Sequence, residues 1–159
     1  HGGSMKRLAL LLVLSVVALS AVSAEADTWL RPSSAEAQVG VGLYWHGFGQ
    51  VQGGVDVGLV QIPFDPQFPL DLGVSGRVAL ASGGFGAGVY GVASYSWKAL
   101  RTGQAWLDGL ETYLGLGIGL APSLGLDGLG GVEYHFNRHW ALYVEGGQFG
   151  GALGGAYRF

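Results

Sequence analysis

Residues 110–136, LETYLGLGIGLAPSLGLDGLGGVEYHF, alternate with period two on both sides of a short turn at Ala121-Pro122-Ser123. Before the turn, Leu110, Thr112, Leu114, Leu116, Ile118 and Leu120 share one face; after it, Leu124, Leu126, Val132, Tyr134 and Phe136 do. Successive side chains of a strand point to opposite faces, so this period indicates two antiparallel strands. The other face carries Glu111, Tyr113, Asp127 and Glu133 among glycines, which confines charge to one side and hydrocarbon to the other. Glycine at this density would cost a helix about 1 kcal/mol at each position. The run Gly115-Leu116-Gly117-Ile118-Gly119 matches a nucleotide-binding glycine motif only in letters, because it lies within a strand and opens no helix. Its inward glycines are better read as room for Tyr113, Tyr143 and other bulky neighbours, or as the lining of a small water-filled cavity.

The same alternation extends outward to eight segments, near Glu36–His46, Gly53–Gln61, Leu70–Ala81, Phe85–Lys98, Leu110–Leu120, Leu124–Phe136, Trp140–Gly146 and Phe149–Phe159. Each is about ten residues, the length a tilted membrane strand needs. One face is free of charge throughout, from Val39, Val41 and Leu43 to Leu153 and Tyr157. The opposite face carries Asp56, Asp71, Arg77, Lys98, Glu111, Asp127, Glu133, Glu145 and Arg158, with Tyr44, Tyr90, Tyr113 and Tyr143. Aromatic residues on the apolar face gather by height. Tyr95, Trp97, Tyr134, Phe136, Trp140, Tyr157 and Phe159 fall at one rim, and Trp45, Phe85 and Phe149 at the other. Such girdles are expected where rings sit at headgroup depth, and a lipocalin-like soluble barrel or a β-sandwich would not sort its aromatics in this way. The reading is an all-β, eight-stranded antiparallel up-and-down transmembrane β-barrel preceded by a signal peptide.

Composition agrees. Mean hydropathy is +0.36 and only 12% of residues are charged, yet no helix-length apolar run follows the first segment of the chain. A closed barrel is the other structure that satisfies its backbone hydrogen bonds within a bilayer. His1-Gly2-Gly3-Ser4 (residues 1–4) reads as a vector-derived remnant. Residues 5–24 have the basic start Lys6-Arg7, an apolar run from Leu8 to Val22 and small residues to Ala24, the pattern of a secretory signal peptide. A periplasmic lead-in at 25–35 and the barrel at 36–159 follow, with no room expected for a second domain. Removing Lys6 and Arg7 leaves six basic residues against eleven acidic ones. That balance excludes nucleic acid as a partner. With no cysteine, disulfides, zinc-thiolate sites and thiol nucleophiles are excluded as well.

The stretch from Gly131 to Gly146, GVEYHFNRHWALYVEG, followed by a strand closing on Tyr157-Arg158-Phe159, resembles the C-terminal hairpin of the OmpA-type eight-stranded outer-membrane barrels. The resemblance is specific over roughly the last thirty residues and architectural before them. It implies an outer-membrane location in a Gram-negative-type bacterium after export to the periplasm, and contact with outer-membrane lipid. The terminal Phe159 resembles the signal by which the barrel assembly machinery recognises its clients. With both termini periplasmic, the outer connections are short, which argues against adhesion, and the peptidoglycan-binding domain of longer family members is not expected.

An eight-stranded barrel is just wide enough inside for side chains, so inward charges must neutralise one another. Asp56 is expected to face Arg77, and Glu111, Glu133 and Glu145 to form a network with Arg158 near the periplasmic end. Asp71 and Asp127 complete the lumen charges. No serine, histidine and acid fall together, so no catalytic residue is assigned. His135 and His139 flank a turn rather than share a helix face, so neither a metal site nor a cofactor is expected. These observations lead to a non-enzymatic outer-membrane protein with a structural or envelope-integrity role. The alternatives are a narrow pore for small solutes or ions and a lipid-modifying outer-membrane enzyme. Oligomeric state is not legible.

Overall fold

Hydrocarbon on every second residue makes each segment a strand, and eight such strands close on themselves in the computed structural model. The structure describes residues 33–43, 49–63, 69–82, 84–100, 102–120, 123–147 and 150–159. The expected signal peptide and most of the lead-in, with Trp45, His46 and Phe149, lie outside these residues. The strands are β1 (Ala35–Leu43), β2 (Gly49–Pro63), β3 (Pro69–Ala81), β4 (Gly84–Ser96), β5 (Leu110–Leu120), β6 (Leu124–His135), β7 (Trp140–Gly147) and β8 (Gly150–Arg158). Each pairs antiparallel with the next, and β1 pairs with β8 from Glu36 opposite Arg158 to Leu43 opposite Gly151, which closes the barrel and leaves no free edge.

Boundaries moved where local chemistry overrode the alternation. β4 stops at Ser96 because Trp97–Leu100 winds into a 3-10 turn, followed by the one-turn helix α1 (Ala105–Asp108). Lys98, expected on the polar face of that strand, is therefore exposed on the turn. β2 runs longer than its alternation, with a bulge between Gly58 and Val60 that shifts the pairing with β3. The β6–β7 turn forms because Asn137 Oδ1 accepts hydrogen bonds from the backbone N–H of His139 and of Trp140, both at 2.9 Å.

The barrel is oily outside and polar inside. Leu116 and Leu126 on the outer face are 80% and 92% exposed, while Arg77 within the lumen is 2% exposed. At the rim where β1 begins and β8 ends, hereafter the terminal rim, the outward rings meet edge to face. Tyr95 packs on Trp97, Tyr134 on Phe136, and Tyr157 on both Trp140 and Phe159, with centroids 4.9–5.8 Å apart. Phe85 is exposed at the opposite rim.

Candidate functional site

Alternation aims the even-numbered residues of β1, β2, β4 and β8 and the odd-numbered ones of β3, β5, β6 and β7 into the lumen, so charges far apart in sequence converge. At its centre lies Arg77 of β3. Its Nη1 donates to Asp56 Oδ1 at 2.7 Å and its Nη2 to Asp56 Oδ2 at 3.1 Å. Nη2 also donates to Glu145 Oε2 at 2.8 Å, and Nε lies 3.1 Å from each Glu145 oxygen. A planar guanidinium suits two carboxylates approaching from different sides, since its donors form a rigid fork.

Neutral side chains extend the network. Gln52 Nε2 donates to Glu145 Oε1 at 2.6 Å and the Tyr113 hydroxyl to Glu145 Oε2 at 2.8 Å. Gln38 Nε2 donates to Asp56 Oδ2 at 2.8 Å and to Glu36 Oε1 at 3.3 Å. Toward the opposite rim, the Tyr90 hydroxyl donates to Asp127, whose other oxygen accepts from the backbone N–H of Gly128 at 2.7 Å. Asp71 accepts from Gln61 Nε2 at 2.8 Å. At the terminal rim Arg158 Nη2 donates to Glu36 Oε2 at 3.2 Å, and His135 Nε2 lies 3.2 Å from Glu111 Oε2.

Tyrosines and glycines fill the rest. A Cβ at Gly40 or Gly154 would strike both Tyr143 and the backbone of the β1–β8 seam, so these positions must stay bare for the ring to lie there. Gly131 makes the same room for Tyr113. Val92 and Leu129 also point inward and pack with Tyr90 and Tyr113, an apolar patch in a lumen read from the sequence as polar and small. The void beside Arg77, Tyr90 and Leu129 measures about 10 Å³, at the lower limit for a single water.

Asp56 and Arg77 thus meet, and Glu111 and Glu133 are direct partners across β5 and β6. The expected four-membered network is divided, however. Glu145 lies at mid-barrel on Arg77, and the resolved salt bridge of Arg158 is to Glu36. Glu36, Gln38, Gln52 and His135 were missed, although parity places all of them inward. Glu36 was the first residue of its segment and carried little periodic context. Gln52 fell just outside the expected start of β2, and His135 was read as a rim residue. His139 instead stacks on Tyr157 outside and contacts the Arg158 carbonyl through Nδ1 at 3.1 Å.

No protein-family model matches the chain, and no curated protein matches it in sequence. Solved structures do. A chain from work on the de novo design of transmembrane β-barrels matches with a TM-score of 0.54 and 20% identity, over 81% of this chain and 98% of that one. The outer membrane enzyme PagL matches with a TM-score of 0.55 and 12% identity, over 79% of this chain and 98% of that one. At such identities the likeness is one of fold. It supports the transmembrane barrel architecture, and neither structure bears on the OmpA-type resemblance specifically. The expectation that the chain is not an enzyme is overturned by the PagL match. A barrel of this architecture carries an enzyme, and a filled lumen leaves rims and wall available for chemistry, so the fold is no argument against catalysis.

Proposed function

We propose that the chain is an integral outer-membrane protein whose closed, internally braced barrel contributes to envelope integrity. The observation that carries this reading is the inversion of the barrel: a continuous aliphatic wall with an aromatic band at one rim, around a lumen crossed by the Asp56–Arg77–Glu145 cluster. Each wall Leu or Val left in water would forgo about 1.5–3 kcal/mol, which a bilayer recovers. The hairpin that resembles OmpA-type barrels supports the same location, with the terminal rim periplasmic and with assembly through β8 by the barrel assembly machinery. Tyr95, Trp97, Tyr134, Phe136, Trp140, Tyr157 and Phe159 would then sit at the inner interface of the outer membrane, and Phe85 at its outer one.

The narrow-pore alternative is disfavoured by the same cluster. Arg77, Tyr90, Tyr143 and Ser75 are all essentially inaccessible across the middle of the lumen. Cells lacking the protein should admit hydrophobic dyes and detergents faster, and the wild-type chain should restore the barrier. The purified barrel should insert into planar bilayers without unitary conductance, and regular conductance steps would favour the pore instead.

One observation favours a second reading, a lipid-modifying enzyme. A cavity of about 720 Å³ opens on the wall beside Leu70, Tyr95, Thr112, Leu114 and Val132 and reaches inward to Ser94, Tyr113 and Glu145. Its lining is mostly apolar, which suits a lipid acyl chain. Mass spectrometry of outer-membrane lipids from cells with and without the protein tests this reading, and an unchanged lipid profile would rule it out.

A further inference from the structure

At the terminal rim, Glu36 from β1 and Glu133 and His135 from β6 converge inside the barrel, with Glu111 from β5 beside His135. Oxygens of Glu36 and Glu133 and a ring nitrogen of His135 all lie within 4.8 Å of one another. His135 Nε2 is 3.2 Å from Glu111 Oε2 and 3.9 Å from Glu133 Oε1. Glu111 and Glu133 are directly opposed across the β5–β6 ladder, a placement that like charges disfavour. Three carboxyl groups face one guanidinium here, that of Arg158, so the cluster can be fully ionised only if a cation joins it; otherwise protons must occupy it.

A second observation points to a ligand. Glu133 is 4% exposed, and its Oε1, turned toward His135, has no hydrogen-bond partner. A buried carboxylate oxygen left so is costly.

The geometry points to a divalent-cation site in the lumen at the terminal rim, with Zn²⁺ the best-matched ion, held by His135 Nε2 and one carboxylate oxygen each from Glu36 and Glu133. Glu111 supplies a further oxygen beside the imidazole. A 2+ ion balances the two carboxylates that Arg158 leaves over, taking the place of the protons they would otherwise hold. An imidazole among carboxylates suits Zn²⁺, whereas Ca²⁺ and Mg²⁺ take all-oxygen sets. Glu36 is already oriented for this role. Arg158 holds its Oε2 and Gln38 its Oε1, the kind of outer support that fixes a ligating carboxylate. The site does not depend on the envelope-integrity reading, since it needs only the folded barrel.

The test uses the full chain refolded in detergent after removal of metal with EDTA, titrated with ZnCl₂ and followed by thermal unfolding and by calorimetry. Wild type should bind one Zn²⁺ per barrel and gain about 5 °C or more in Tm at saturating metal. Glu133→Gln and His135→Gln should each lose at least about tenfold in affinity, since even outer-sphere partners produce that loss. His139→Ala, altered outside the barrel, should bind as wild type does. X-ray absorption on the wild-type complex should give a shell of oxygen and nitrogen at about 2.0–2.2 Å with a single imidazole. That spectrum decides the matter if a glutamine variant fails to refold. No Tm gain in wild type, unchanged affinity in both glutamine variants, or a shell with two imidazoles or none would overturn the site.

Discussion

Replacing Arg77 with alanine is expected to destabilise the refolded barrel by about 3–5 kcal/mol in reversible urea unfolding. The loss of one partner strands the other charges of a buried ion cluster, and that cost exceeds the net worth of the cluster itself. Arg77 is gripped by Asp56 and Glu145 through five donor–acceptor contacts of 3.1 Å or less. The triple variant Arg77→Met, Asp56→Asn, Glu145→Gln removes all three charges and keeps most of the volume. It should recover most of the loss, because replacing a whole buried cluster is far cheaper than halving it. A loss below about 1 kcal/mol for Arg77→Ala, the range typical of exposed pairs, would mean that water reaches the centre of the lumen.

The second large effect comes from the outer wall. Leu116→Arg should cost about 2–4 kcal/mol in phospholipid vesicles, the penalty for a guanidinium near the middle of a barrel's apolar band. Leu124→Arg, at the start of β6 beside the opposite rim, should cost only about 0–1 kcal/mol. The contrast has diagnostic value because both leucines are exposed, Leu116 at 80% and Leu124 at 71%. In a water-facing wall an exposed leucine accepts arginine within about 0.5 kcal/mol, so both variants would be near neutral. Folding yields in vesicles and in aqueous buffer with a mild detergent would separate the two cases.

Much of this architecture was legible because a barrel strand needs only parity. Leu114, Leu116 and Ile118 on one face and Glu111 and Tyr113 on the other give the whole inside-out arrangement, and a one-residue slip would have inverted it. The pairing of Asp56 with Arg77 followed from one hairpin and tolerated small errors in register: Cα of Arg77 pairs with Gly54 and that of Asp56 with Ser75, yet the long arginine side chain spans the offset. Contacts across the lumen were not legible. Glu145 reaches Arg77 from β7, and Glu36 reaches Arg158 through the closing seam, and neither depends on any local spacing. Closure sets those neighbours, and the stagger of eight strands is not written in any one of them. The end of β4 was missed for a different reason. Tyr95 and Trp97 keep the alternation going, but the chain already turns at Trp97 into a 3-10 segment. Activity was legible least of all. A reading based on the lumen excluded catalysis, while the PagL match shows that the architecture accommodates it.

The membrane reading and the expectations for the wall rest on hydrocarbon covering the barrel's outside. The chain contains no cysteine, so single cysteines can be placed and spin-labelled without background. Labels at Leu116 and Val144, both outward on the wall, and at Arg138 on the β6–β7 turn, should be compared in phospholipid vesicles by collision with oxygen and with a water-soluble nickel chelate. The wall labels should meet oxygen freely and the chelate hardly at all, with the reverse at Arg138. Chelate access at Leu116 equal to that at Arg138 would contradict the account.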